Sequence, residues 1–140
     1  MGLIVRKSIF FNNEQRGLMR PIIFCFQDNE VIAKAFSVNK SIAQELMKHN
    51  ANQRTVNVEN CFLKVLEKLP VNSTLKDFDI LFNPEYKIDT LKILIEACKI
   101  IPFNIFWPGR LINNKLIYAE EGYADYKVFD VNEYDITCVF

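Results

Sequence analysis

The chain predicts an α/β fold: a central sheet flanked by helices, with antiparallel strands added at the C-terminal end. Three observations carry that expectation. Short, nearly continuous apolar runs such as PIIFCF, residues 21–26, have the composition of strands buried on both faces. Between them lie segments with apolar residues at i, i+3 and i+4, the period of a helix resting on a sheet. The last third breaks instead into short apolar stretches separated by turn residues.

In order, apolar Leu3 to Val5 and Ile9 to Phe11 read as a strand or an edge hairpin. Pro21 to Phe26 reads as a buried strand, followed by a polar loop, QDNE, and by a short strand over Phe36 to Val38. Asn39 is a plausible N-cap for a helix to about His49, whose face is Ile42, Ala43, Leu46 and Met47. Val58 to Leu69 repeats that pattern, and Pro70 stops it. Leu75 to Phe82 (LKDFDILF) reads as a strand, and Asp89 caps the next helix, with Leu91, Ile93, Leu94, Ile95, Ala97 and Cys98 on its apolar face. Phe103 to Trp107 is a second buried strand, halted by Pro108-Gly109. Short strands follow at Arg110 to Ile112, Lys115 to Ala119, Lys127 to Phe129 and Ile136 to Phe140. Asn113-Asn114 is a two-residue turn of the kind that tolerates positive φ.

Composition bounds the function. A chain of 140 residues has the size of one domain and buries enough surface to need no metal or disulfide staple. No linker-like stretch and no internal repeat divides it, so residues 1–140 read as a single domain. Half the residues are apolar and 24% are charged, unlike a disordered chain. Lys+Arg and Asp+Glu balance at 17 each, so no net field draws nucleic acid or an anionic membrane, and nucleic acid could be met only through a local patch. No apolar run reaches the roughly 18 residues of a membrane span, and the start lacks the order of a signal peptide. The chain is thus expected to be cytoplasmic. Cys25, Cys61, Cys98 and Cys138 stand far apart among apolar neighbours, without the close pairs of a zinc site, and read as buried reduced thiols.

The most informative motif is a near miss. A phosphate-binding P-loop needs two glycines, a Lys for the β/γ-phosphates and a Ser or Thr for magnesium. After the strand PIIFCFQ, Asp28 and Ala33 stand in the two glycine places, Lys34 matches the lysine, and Ala35 replaces the hydroxyl. Asp28 would set a negative charge beside a triphosphate, so a lost nucleotide site is expected; a weak ATP site would use Lys34 with Asp77 or Asp79. Asp77 and Asp79 on the strand Leu75 to Phe82 share a face by their i, i+2 spacing and could orient Mg²⁺ as a Walker B element does, or simply solvate a strand end. The same acids permit a metal-dependent nuclease of the PD-(D/E)xK kind, which sets an acidic-x-Lys unit beside another acid to activate water. Glu85-Tyr86-Lys87 and Asp125-Tyr126-Lys127 are the candidate units, the second with Asp79, Asp125 and Lys127 in the catalytic roles. His49 is the only histidine, and no Ser or Cys stands in a nucleophile-elbow context. Trp107, Tyr118, Tyr123 and Tyr126 belong to an aromatic-rich last third, suited to the core or to anchoring a partner.

The segments LKDFDILFNPEYKIDTLKILIEACK, FNIFWPG and KLIYAEEGYADYKVF together resemble the C-terminal half of the BrxF family, small P-loop proteins of BREX-type bacteriophage-exclusion systems. In that family an acidic Walker B-like strand ends in Leu-Phe, a helix follows, then a strand ending in Trp-Pro-Gly and a Tyr-Ala-Glu-x-Gly…Tyr stretch. Here these are Asp79 to Phe82, Trp107 to Gly109, and Tyr118 to Gly122 with Tyr126. The resemblance spans Leu75 to Val128. It implies a P-loop-like central sheet and a bacterial defence setting, with Asp77 and Asp79 at the acidic strand end. The family's phosphate loop is absent here, so its ATP-binding role passes to no N-terminal residue. The expectation is a non-catalytic accessory or adaptor protein that binds other protein components of a defence system. The alternatives are a weak Mg²⁺-ATP binder and the nuclease.

Overall fold

The computed structural model describes residues 1–12 and 17–140. Six parallel strands form one sheet in the order β1-β9-β2-β5-β4-β3, and three antiparallel strands form a second sheet, β6-β7-β8. The first comprises β1 (Leu3–Val5), β2 (Ile22–Phe24), β3 (Phe36–Ser37), β4 (Ser73–Lys76), β5 (Phe103–Phe106) and β9 (Thr137–Val139). The second comprises β6 (Arg110–Ile112), β7 (Lys115–Tyr118) and β8 (Lys127–Asp130). Among the described residues five α-helices complete the fold: α1 (Lys7–Asn12), α2 (Asn29–Lys34), α3 (Asn39–Leu46), α4 (Arg54–Glu67) and α5 (Thr90–Ile100). The α/β class is as expected from the sequence. None of these helices is long and apolar enough to cross a membrane.

Strand order explains why the core has two parts. Right-handed crossovers that run in opposite directions across a sheet lie on opposite faces. The connections β1→β2 and β2→β3 run one way; β3→β4, β4→β5 and β5→β9 run the other. Accordingly Ile22, Phe24, Phe106 and Val139 face Phe10 of α1 and the apolar residues of α2. Their strand neighbours Ile23, Ile105 and Cys138 face α3, α4, α5 and the antiparallel sheet. That alternation is why β2, β5 and β9 read as apolar without a break: both faces are covered.

Several local expectations are corrected. Ile9 to Phe11 is helical, in α1, and Leu3–Val5 pairs in parallel with β9, so no edge hairpin forms. The polar QDNE stretch does not stay a loop, because Asp28 caps α2 and the helix runs from Asn29 to Lys34. Asn39 is the first residue of α3 rather than its cap; Val38 precedes it with no side-chain cap bond. The strand expected over Leu75 to Phe82 ends at Lys76, since Asp77 has φ 53° and leaves the extended region. A 3₁₀ turn over Asp79–Phe82 then carries Leu81 and Phe82 into the core. The final strand joins the parallel sheet between β1 and β2 instead of extending the antiparallel one. The hairpin at Asn113-Asn114 forms as expected, with both residues at positive φ, 52° and 63°.

Candidate functional site

In an open α/β sheet, ligands bind beyond the carboxyl ends of the strands where neighbouring connections diverge. Here that place lies between β2, which leads toward β3, and β5, which leads back toward β9. The chain leaving β2 reaches α2 there, and the chain leaving β5 is Trp107-Pro108-Gly109.

At α2 the position a bound anion would take is already filled. The Asp28 carboxylate accepts the backbone N–H groups of Glu30 and Val31 at 3.0 and 3.4 Å. These are the unsatisfied donors with which a helix start would hold a phosphate. Lys34 sits in the last turn of α2, exposed, about 7.5 Å along the axis from the helix start at 1.5 Å per residue. Lys76, at the end of β4, donates to the Ile32 carbonyl at 3.2 Å and so closes the C-terminal end of the same helix.

Asp77 and Asp79 do not share a strand face. Asp77 is exposed at the bend after β4, and Asp79 opens the 3₁₀ turn. Both Asp79 oxygens are engaged: Tyr118 donates its hydroxyl to Oδ1 at 2.8 Å, and Asn39 donates its side-chain N–H to Oδ2 at 3.4 Å. Asn39 Oδ1 in turn accepts the Ile80 N–H at 2.9 Å. Asp79 therefore ties three elements together: α3, the turn after β4, and β7 of the second sheet.

The aromatic residues next to it are core. Trp107 is 7% exposed, donates Nε1–H to the Ile117 carbonyl at 3.0 Å, and meets Phe82 and Phe129 edge to face. Tyr118 is also 7% exposed and stacks on Phe82 with ring centroids 3.7 Å apart. Burial and the carboxylates of Asp79 and Asp125 hold its phenol well above the usual tyrosine range. A Cβ on Gly109 would lie 1.9 Å from the Ile117 carbonyl oxygen, so only glycine lets the chain pass there. The Trp-Pro-Gly segment is thus a packed corner that turns the chain from the parallel sheet into the antiparallel one. Trp107 and Tyr118, candidate interaction anchors by sequence, are not available at the surface. Tyr123 is, at 67% exposure, while Tyr126 is half-buried.

Lys127 opens β8 and pairs across the ladder with Tyr118, so the fold brings Asp79, Tyr118 and Lys127 to one corner, with Asp125 just before β8. Glu85-Tyr86 lies in a 3₁₀ turn that Lys87 ends in left-handed conformation. Among the described residues, no three acidic, His or Cys side chains converge closely enough to hold a metal ion. The four cysteines are free thiols, Cys25 half-buried and the others buried. Burial pushes the Cys61 and Cys98 thiols up, and the adjoining Cys138 thiol, together with burial, does so for Cys25.

From the sequence alone Asn39 reads as a helix cap, not a bracket, and Glu45 carries no sign of a role apart from its helical position. Asn39 was visible only as a polar residue at a helix start. Glu45 falls where the helical period of Ile42 and Leu46 places an inward-facing residue, which is the one signal that could have marked it. Comparison with family models, with curated proteins and with solved structures finds no match to this chain.

Proposed function

We propose that this chain is a non-catalytic accessory protein that binds other proteins of a bacterial anti-phage defence system, in the cytoplasm, on a P-loop-like core that no longer holds nucleotide. The observation that carries the reading is Asp28: its carboxylate takes the helix N–H groups that a phosphate would need. An incoming phosphate would have to displace a carboxylate covalently attached beside it and would be repelled by it. Lys34, at the far end of α2, does not compensate. Asp79 supports the same reading through its partners: Tyr118 and Asn39 use it as a bracket between α3 and the second sheet. The defence setting comes from the resemblance of residues 75–128 to the BrxF family.

The test is a phage plating assay in the native host with the gene deleted and supplied in trans. Lys34→Ala and Asp77→Asn remove exposed charges, the second with a residue that keeps the left-handed backbone of Asp77. Both variants are expected to protect as well as the native chain. Loss of protection by Lys34→Ala, at an unchanged melting temperature, would instead favour the nucleotide-binding alternative. The nuclease alternative draws on the corner shared by Asp79, Tyr118 and Lys127; Mg²⁺-dependent cleavage of DNA by the purified chain, abolished by Lys127→Ala, would establish it.

A further inference from the structure

A cavity of about 260 Å³ lies at the open edge of the parallel sheet, between β3, α3 and α4. Val65 and Leu69 form an apolar wall, and the hydroxyls of Ser37 and Ser41 line the polar side. Val38 donates its N–H to the Lys76 carbonyl, so ladder alternation turns the N–H and C=O of Ser37 outward, away from β4. The inner lining includes Glu45, only 5% exposed.

A buried carboxylate is costly unless it is paired. Glu45 is paired by two lysines from outside: Lys48 Nζ donates to its oxygens at 3.0 and 3.2 Å, and Lys68 Nζ at 3.4 Å. Those lysine side chains are 63% and 73% exposed. The carboxylate must stay paired, but the lysine ends lie in water, so one cation can replace another on it without leaving it bare. A guanidinium offers what they do not, a planar fork that meets both carboxylate oxygens at once, on a methylene stem able to lie along apolar walls.

We propose that this cavity receives an arginine side chain presented by a partner protein, its guanidinium on Glu45 and its stem along Val65 and Leu69. The outward carbonyl of Ser37 and the hydroxyls of Ser37 and Ser41 supply further acceptors for the guanidinium N–H groups. Lys48, which meets both carboxylate oxygens, and Lys68 are then placeholders that hold the carboxylate until the partner arrives. The inference rests on the protein-binding reading above and names the chemistry of the contact.

The test is an amide ¹H–¹⁵N NMR titration of the full chain with N-acetyl-arginine amide, using the uncharged citrulline analogue as control. Shifts are expected at Ser37, Ser41, Glu45 and Leu69 with the arginine probe and to be lost with citrulline. Glu45→Gln is expected to abolish them. Lys68→Ala, at an exposed position, is expected to tighten binding severalfold, and it keeps the test readable should Glu45→Gln fail to fold. No shifts at these residues, equal shifts with citrulline, or weaker binding in Lys68→Ala would overturn the proposal; the last would mark the cavity as an anion site. Because the titration reads the isolated chain, its failure removes the arginine contact alone, while the plating assay judges the adaptor reading.

Discussion

Two tyrosine hydroxyls carry hydrogen bonds between distant parts of the chain, and both bonds require the neutral phenol. Tyr118 donates to Asp79 and Tyr134 donates to Asp89, each at 2.8 Å. Burial, then the accepting carboxylate, raises both phenols above their ordinary value. The sign follows from linkage: the unfolded chain loses these protons first, near pH about 10, while the folded chain still holds them. Stability from both bonds is therefore complete below that pH and falls as pH rises beyond it. Urea melts taken from about pH 8 to 11 are expected to show the decline above about pH 10, shallower in Tyr118→Phe. An unaltered slope in that variant would mean the hydroxyl contributes nothing. Asp79 is thus read as a structural bracket, a role the sequence could not disclose, because Tyr118 and Asn39 lie 39 and 40 positions from it.

At the scale of elements, the corner formed by Trp107-Pro108-Gly109 is expected to be intolerant. Trp107→Ala removes a buried indole that meets Phe82 and Phe129, at a cost of about 3–5 kcal/mol. Gly109→Ala places a methyl group against the Ile117 carbonyl, and it too should melt well below the native chain in a thermal scan. A Gly109→Ala variant with a native melting temperature would contradict the corner described here. The elements the sequence made legible are those set by one strong local signal. Unbroken apolar runs marked β2 and β5, the helical period with Pro70 or with Asp89 marked α4 and α5, and Asn113-Asn114 marked the hairpin. LKDFDILF misled because Leu75 and Phe78 suit a strand in composition, whereas Phe78, Leu81 and Phe82 stand at i, i+3 and i+4, the spacing of the turn that forms. For α2, six residues gave too short a window for periodicity, although Asp28 is a sound cap by residue type.

At the scale of the whole molecule, strand order was not legible, because pairing between residues far apart leaves no local pattern. β9 inserts between β1 and β2, and Thr137 fixes it there by donating its hydroxyl to the Met19 carbonyl at 2.8 Å. That insertion makes β2 a central strand and sets its carboxyl end, with Asp28 just beyond, at the crevice where such sheets take ligands. The candidate site was half legible: the residues at this edge were identified, but whether their polar atoms were free or already engaged depended on tertiary contacts. Asp28, Asp79 and Lys76 are all engaged within the chain, and the proposed loss of nucleotide binding at this edge rests on that engagement. The measurement that tests it most directly is calorimetric titration of the purified chain with Mg²⁺-ATP. The account predicts no heat of binding up to millimolar nucleotide. Micromolar binding that is lost in Lys34→Ala would contradict it and make this edge a working nucleotide site.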